Sequence, residues 1–352
     1  MRFQSLQVLR AVAALGIVLF HLQPYEVKYL PGTSLLGAFA RQADVGVDLF
    51  FVLSGFIMTT LMAGKHTGLH AAREFLLKRA WRILPSYWIL TLAIVGLAVV
   101  APSALSIKPS AQEIAASLLL APQDKLPVLP VGWTLVHEAY FYVVSAAAIA
   151  FVPERFLTCW LAIWAAVVAI VSPLLPESAG PSARLAFSPL TLEFIGGAVA
   201  ATYWRALPER AAPLLASSGA ALLIAGMVLV AGGHIAPLQQ WPSVAIHGGG
   251  SILLIAGAAR MESAGMLRIP SFMVKLGDSS YSLYLTHLFV MSAAGKMFLK
   301  LGGGSTPLHH MAFIAIMLAA AYTGSLMFHK AIEQPIHRFG RRNHRAVGFQ
   351  RG

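Results

Sequence analysis

Apolar segments of about twenty residues follow one another along almost the whole chain, and they limit its fold more than any other feature, because a helix needs about 20 mainly apolar residues to cross a bilayer. Ten segments have this character. They lie at 5–22, 45–63, 84–101, 133–152, 156–175, 187–203, 211–232, 241–259, 277–298 and 308–329. The sequence therefore predicts an all-α integral membrane protein, a bundle of about ten transmembrane helices embedded in the lipid bilayer.

The composition excludes the main alternatives to a membrane bundle. Hydrophobic residues make up 57% of the 352 positions and charged residues 11%, whereas charged residues are about 25% of a typical soluble domain. A disordered chain would be poor in apolar residues and rich in charge. Since Cys159 is the one cysteine, the sequence excludes a disulfide framework and a thiolate metal site, and we predict no metal.

The basic residues indicate how the helices are oriented. A net charge of +12 would suggest nucleic acid as the partner of a soluble protein. In membrane proteins, however, Lys and Arg concentrate in cytoplasmic loops, and most of the 26 Lys and Arg residues fall on one side when the N-terminus is placed inside. We therefore predict no nucleic-acid partner, cytoplasmic N- and C-termini, a membrane domain at 1–340 and a short basic cytoplasmic tail at 341–352.

Ionisable residues within the predicted spans mark candidate functional positions, because charged groups are costly in lipid and usually face the bundle interior. They are Arg10, His21, Asp48, Glu138, Glu193, Asp278 and His287. Arg10 and His21 are eleven residues apart, which places them on one face of a helix with a rise of roughly 16 Å between them. The structural alternatives are a snorkelling Arg10 and an interfacial His21 at the helix end.

Two carboxyl groups are predicted at the same depth as His21, near the outer surface. The second span runs inward from Asp48, and the fourth span runs inward past Glu138. Three spans would then bring an imidazole and two carboxyl groups into the outer third of the bundle. The alternatives are a purely structural hydrogen bond for Glu138 and a helix-capping role for Asp48.

A basic segment at 71–85 precedes the third span, and its pattern is typical of an amphipathic helix on the inner membrane surface. Arg79 and Arg82 are three residues apart and are therefore neighbours on this helix. Guanidinium groups bind phosphate oxygens in a bidentate manner, so the pair is suited to a phosphorylated ligand from the cytosol. Positive-inside topology alone would also explain these residues.

Six short motifs together resemble the acyltransferase family 3 membrane proteins. They are QVLR at 7–10 leading to His21, GVDLFFVLSGF at 46–56, KRAWRILP at 78–85, GWTLVHE at 132–138, SYSLYLTH at 280–287 and EQP at 333–335. Their order along the chain is that of the family. The chain resembles the stand-alone branch of this family, which includes exopolysaccharide-modifying acetyltransferases.

This resemblance implies an O-acyltransferase of the bacterial cytoplasmic (inner) membrane. Such an enzyme moves an acyl group, usually acetyl, from cytosolic acyl-CoA (acetyl-CoA) to a hydroxyl of an extracytoplasmic glycan. The expected acceptor is an exopolysaccharide or its lipid-linked oligosaccharide precursor, and polysaccharide-assembly machinery is a further candidate partner. The family's motif residues fall on Arg10, His21, Arg79, Arg82, Trp133 and Glu138.

The chemistry of these residues predicts a role for each. We expect His21 to act as general base on the acceptor hydroxyl, since an imidazole titrates near neutral pH, and Glu138 to orient and stabilise it. Arg79 and Arg82 would hold the phosphates of coenzyme A. Arg10 would bind the extended arm that carries the thioester.

We predict that Asp48, Trp133 and His287 bind the acceptor. Trp133 is a candidate because its flat face suits a sugar ring.

Two other classes of function stay open at this stage. Charged groups inside a helical bundle also occur in transporters, here an exporter of a glycan or lipid-linked sugar, although the sequence lacks the internal repetition common in transporters. A catalytically silent scaffold for glycan assembly would tolerate changes at His21 and Glu138.

Overall fold

The computed structural model describes residues 3–62, 64, 68–101, 108–236, 238–300, 304 and 306–340. Within these ranges the regular elements are all helices, which confirms the predicted all-α fold. The main helices are α1 Gln4–Tyr29, α2 Gly46–Met62, α3 Gly68–Val100, α4 Ala111–Leu118, α5 Gly132–Phe151, α6 Leu157–Val171, α7 Thr191–Tyr203, α8 Ala212–Ala231, α9 Gly249–Ser263, α10 Ser271–Asp278, α11 Ser280–Lys300 and α12 Pro307–Phe328. The predicted basic tail at 341–352 lies outside the described residues.

Nine helical stretches within the described ranges are long and apolar enough to cross a membrane. They are Gln4–Tyr29, Gly37–Met62, Gly68–Val100, Gly132–Phe151, Glu154–Leu174, Pro181–Ala206, Glu209–Ala231, Trp241–Ser263 and Pro307–Gly340. Each matches one predicted span, and the remaining predicted span at 277–298 falls mainly on α11, which is 21 residues or roughly 31 Å long but less apolar. The chain is therefore a multi-pass membrane protein, and the side on which its termini lie stays a prediction.

The chain forms two compact units, of which the first comprises Met1–Ala63 and Ser188–Ser325. Within it, α2 and α7 approach each other at Gly55 and Gly197. A Cβ atom on Gly197 would lie 2.0 Å from the carbonyl oxygen of Val52, and one on Gly55 would lie 2.0 Å from that of Phe194. Small residues permit such close packing between membrane helices, where dispersion contacts replace the hydrophobic effect as the source of association.

The second unit comprises Gly64–Phe187 and Leu326–Gly352 and contains α3, α4, α5 and α6. Helices α3 and α5 pack where the fully buried Tyr87 covers Gly132, so that a Cβ on Gly132 would lie 2.9 Å from the Tyr87 hydroxyl. Phe141 on α5 stacks on Trp164 of α6, with ring centroids 5.8 Å apart. These contacts fix α5, which carries several of the candidate site residues.

The structure corrects the prediction of a separate surface helix at 71–85. Helix α3 is continuous from Gly68 to Val100, 33 residues or roughly 50 Å, and passes through Pro85 without ending. Proline is tolerated in membrane helices because neighbouring groups satisfy the freed backbone atoms. Arg79 and Arg82 therefore belong to a membrane-crossing helix.

Helix α4 has eight residues and is too short to cross a bilayer. Ser110 and Glu113 form a capping box: the Ser110 hydroxyl accepts from the Glu113 amide, and the Glu113 carboxylate accepts from the Ser110 amide. Lys125 lies 2.5 Å from the same carboxylate. The hydrogen bond from Lys125 and those from Ser110 lower the pKa of Glu113 to about 2.

A buried carboxylate organises the chain that follows α1. Glu26 accepts hydrogen bonds from the Ser34 hydroxyl at 2.5 Å, from the Leu35 amide at 2.8 Å and from the Leu36 amide at 3.2 Å. His310 on α12 contacts the same carboxylate through Nδ1 at 2.7 Å. Four donors satisfy the carboxylate, which is why a fully buried acid is tolerated here. This network was not predicted from the sequence.

Candidate functional site

His21 and His287 form the most compact group of candidate residues in the first unit. The Nε2 atom of His287 lies 3.2 Å from Nδ1 of His21, and the ring centroids are 5.0 Å apart. His287 is fully buried, whereas His21 is partly exposed. The sequence predicted both histidines as site residues, but it did not predict that they contact each other.

The backbone determines which nitrogen of each ring carries the proton. In His21, Nδ1 lies 2.9 Å from the carbonyl oxygen of Ile17, one helical turn earlier. In His287, Nδ1 lies 3.0 Å from the carbonyl oxygen of Leu283. A carbonyl oxygen can only accept, so each Nδ1 is the protonated nitrogen. The neutral His21 ring therefore has its lone pair on Nε2, the atom suited to remove a proton from a substrate.

Close backbone contacts explain why the two histidines meet. Gly277 of α10 packs on the start of α1, where an added Cβ would lie 2.0 Å from the Gln7 carbonyl oxygen. Further along, a Cβ on Gly295 of α11 would lie 2.5 Å from the Tyr29 ring. The order of these contacts shows that α10 and α11 run parallel to α1. His287 is thereby placed beside His21, between the two contacts.

Arg10 shares α1 with His21. Because α1 is one continuous helix, the eleven-residue spacing places both side chains on the same face with a rise of roughly 16 Å, as the sequence predicted. Arg10 is partly buried. The helix thus presents a guanidinium and an imidazole at two depths along one line.

The predicted depth of Asp48 is wrong. The carbonyl oxygen of Ala43 lies against Gly16 and Gly46 lies against Ala13, so this chain segment runs antiparallel to α1. Asp48 is then level with about residue 11, roughly 15 Å from the level of His21. The reason is that the crossing begins at Gly37, so that Asp48 is already inside it.

Asp48 is instead paired with another acidic residue. Its carboxyl group is fully buried and interacts with that of Glu193 on α7, whose side chain is also buried. Asp48 is in the first turn of α2, where an acidic side chain is favourable. This position at the start of α2 fits the alternative in which Asp48 has a helix-capping role. The binding of an acceptor by Asp48 stays a prediction.

A charged group in the second unit joins α3 to α5. The Tyr142 hydroxyl donates a hydrogen bond to the Glu138 carboxylate one turn earlier. Arg79 interacts electrostatically with both residues and with Arg82. Tyr87 lies level with the start of α5. Arg79 precedes Tyr87 by eight residues, about 12 Å along α3, and therefore lies opposite the middle of α5. The two arginines therefore lie beside α5 and not on a separate helix.

Two aromatic side chains begin α5. The Trp133 indole and the His137 imidazole meet edge to face, with centroids 5.7 Å apart and an interplanar angle of 87°. Both side chains are partly exposed. His137 lies inside the GWTLVHE motif, but it is not among the site residues predicted from the sequence.

The backbone of Arg82 is held by His337, which lies near the C-terminal end of the described residues. His337 Nε2 donates to the Arg82 carbonyl oxygen at 3.4 Å. Glu333, of the EQP motif, lies 2.8 Å from His329 Nδ1. Glu333 is buried, and its carboxylate also lies 4.0 Å from Nδ1 of His337.

The structure brings some predicted residues together and not others. His21 contacts His287 in the first unit, and Arg79 interacts with Arg82 and Glu138 in the second. The predicted contact between His21 and Glu138 joins residues of different units and stays a prediction.

Comparison with known proteins identifies a relationship along nearly the whole chain. Residues 3–329 match the family model described as "Acyltransferase domain". The chain is 31% identical over 323 residues to the exopolysaccharide production protein ExoZ of Rhizobium meliloti, covering 86% of this chain and 92% of ExoZ. It is 24% identical to the O-acetyltransferase OatA of Staphylococcus aureus, covering 96% of this chain and 57% of OatA. No solved structure matches.

Proposed function

Because this chain belongs to acyltransferase family 3, we propose that it transfers an acetyl group from cytosolic acetyl-CoA to a hydroxyl of a polysaccharide on the far side of the bacterial cytoplasmic membrane. A relative named for exopolysaccharide production and one named an O-acetyltransferase support this choice of acceptor and reaction. The multi-pass helical fold supports transfer between two compartments.

The observation that carries the proposal is the contact between Nδ1 of His21 and the Ile17 carbonyl oxygen, which places the lone pair of the neutral ring on Nε2. This nitrogen removes the proton of the acceptor hydroxyl, and the oxygen attacks the carbonyl carbon of the thioester. A C–O bond forms, the C–S bond breaks, and the proton passes from His21 to the departing thiolate. An imidazole suits this step because its ordinary pKa is close to neutral pH.

The donor is held by cationic side chains in this proposal. Arg79 and Arg82 are adjacent on α3 and offer two guanidinium groups to the phosphates of coenzyme A. Arg10 binds the arm that carries the thioester, since it shares a helix face with His21 at a rise of roughly 16 Å. Glu138 keeps its predicted role of stabilising positive charge during transfer, and Trp133 that of stacking on the acceptor sugar.

The test uses the purified protein in lipid vesicles. Acetyl-CoA labelled in its acetyl group is supplied on one side and an exopolysaccharide on the other, without an ion gradient. We expect labelled ester on the polysaccharide in equal amount to the free thiol produced. Movement of polysaccharide across the membrane without ester formation would overturn the proposal in favour of an exporter, and the absence of both would favour a scaffold.

A further inference from the structure

The surroundings of His287 favour a role other than the predicted binding of the acceptor. Its side chain is fully buried, and both ring nitrogens already face partners inside the first unit. Nδ1 donates to the Leu283 carbonyl oxygen at 3.0 Å, and Nε2 lies 3.2 Å from Nδ1 of His21. No ring nitrogen is left for an acceptor sugar.

One placement of protons satisfies every contact of the two rings. The carbonyl oxygens of Ile17 and Leu283 each require a proton on the facing Nδ1. If His287 were also protonated on Nε2, that hydrogen would point at the hydrogen on Nδ1 of His21. His287 is therefore neutral with a lone pair on Nε2, and the His21 Nδ1–H is shared between Ile17 and His287 as a three-centre bond.

We propose that His287 is a positioning residue for the proposed transfer reaction, accepting the His21 Nδ1–H and holding Nε2 of His21 toward the substrate. This inference rests on the proposed function and replaces acceptor binding as the role of His287. When Nε2 of His21 takes a proton, the ring becomes cationic and its Nδ1–H becomes a stronger donor, so the bond to His287 strengthens as charge develops. A neutral imidazole thereby does what a carboxylate does in a catalytic triad.

The first test compares substitutions at His287 in the vesicle assay. His287→Leu removes the acceptor, and we expect kcat to fall by about tenfold to a hundredfold, because small displacements of a reacting group have effects of this size. The KM for polysaccharide should not change. His287→Gln can return an amide oxygen to the position of Nε2 and should recover most of the loss.

A matched control removes a different buried imidazole of the same unit. His247 is buried and contacts Ser243 at 3.0 Å, and His247→Leu should leave kcat unchanged when the membrane abundance of the variant is normal. A higher KM for polysaccharide with normal kcat in His287→Leu would overturn the inference in favour of acceptor binding. An unchanged kcat in that variant would overturn it as well.

The second test does not depend on activity. Nitrogen-15 solid-state NMR of the unaltered protein, with histidines labelled and His21 identified by substitution, reports which nitrogen is protonated. We expect Nε2 of His21 unprotonated and its Nδ1–H close to Nε2 of His287; a proton on Nε2 of His21 would overturn the inference. Absence of acetyl transfer by the unaltered protein would refute the proposed function, while the nitrogen spectrum would still decide the pairing.

Discussion

Replacing Gly277 by alanine tests whether the contact between α10 and α1 maintains the site. The new methyl carbon would lie 2.0 Å from the Gln7 carbonyl oxygen, and ordinary contacts begin at 3.4 Å, so the helices must separate by about 1.4 Å. The three atoms nearest to it belong to the backbone of Gln7 and cannot rotate away. Overpacking of this kind costs about 1–3 kcal/mol of folding free energy.

The same displacement would affect the reaction. The 3.2 Å distance between His21 and His287 leaves little room before a hydrogen bond is lost, since bonds weaken beyond about 3.2 Å. We expect a lower thermal unfolding temperature in detergent and a kcat reduced by about tenfold or more. The matched control is Gly249→Ala, whose methyl group meets nothing within 4 Å. Wild-type unfolding temperature and kcat in Gly277→Ala would refute the reasoning.

Three further predictions concern other parts of the chain. Arg79→Ala combined with Arg82→Ala should raise the Kd for acetyl-CoA, measured by calorimetry, and leave that for polysaccharide unchanged; equal affinities would count against phosphate binding. Glu26→Gln should lower the free energy of unfolding by about 1–3 kcal/mol, because an amide nitrogen cannot accept from the buried donors, and thermal unfolding measures this. Lys125→Ala should raise the pKa of Glu113, followed by carbon-13 NMR, from about 2 toward its ordinary value. Because folding lowers this pKa, the stability that ionised Glu113 adds is complete above pH about 4.3 and is lost as the pH falls toward 2.

Much of the fold could be predicted because membrane-spanning helices are long apolar segments that are visible in the hydropathy of the sequence. Nine of the ten predicted spans correspond to apolar helices of the structure. The family could also be predicted from the six motifs, and the match over 3–329 confirms it. The segment 71–85 was misjudged because its charges and Pro85 are typical of a surface helix end, whereas the helix continues through them.

The contacts within the site could not be predicted from spacing alone. His21 and His287 are 266 positions apart, and they meet because glycines allow α10 and α11 to lie against α1. The depth of Asp48 was predicted wrongly because the crossing was placed too late in the chain. The crossing begins at Gly37, but the polar residues before Gly46 are not typical of a membrane span. Glu26 could not be identified because two of its four donors are backbone amides, which have no signature in the sequence, and a third is His310, 284 positions away.

The central claim is that Nε2 of His21 removes the proton of the acceptor hydroxyl. The most direct measurement is the kcat of His21→Ala, purified and reconstituted with labelled acetyl-CoA and polysaccharide, at a protein amount matched to the unaltered enzyme. Loss of a general base lowers rates by about 10²–10⁴, and we predict a decrease in that range. Ester formation by His21→Ala at the rate of the unaltered protein would contradict the account.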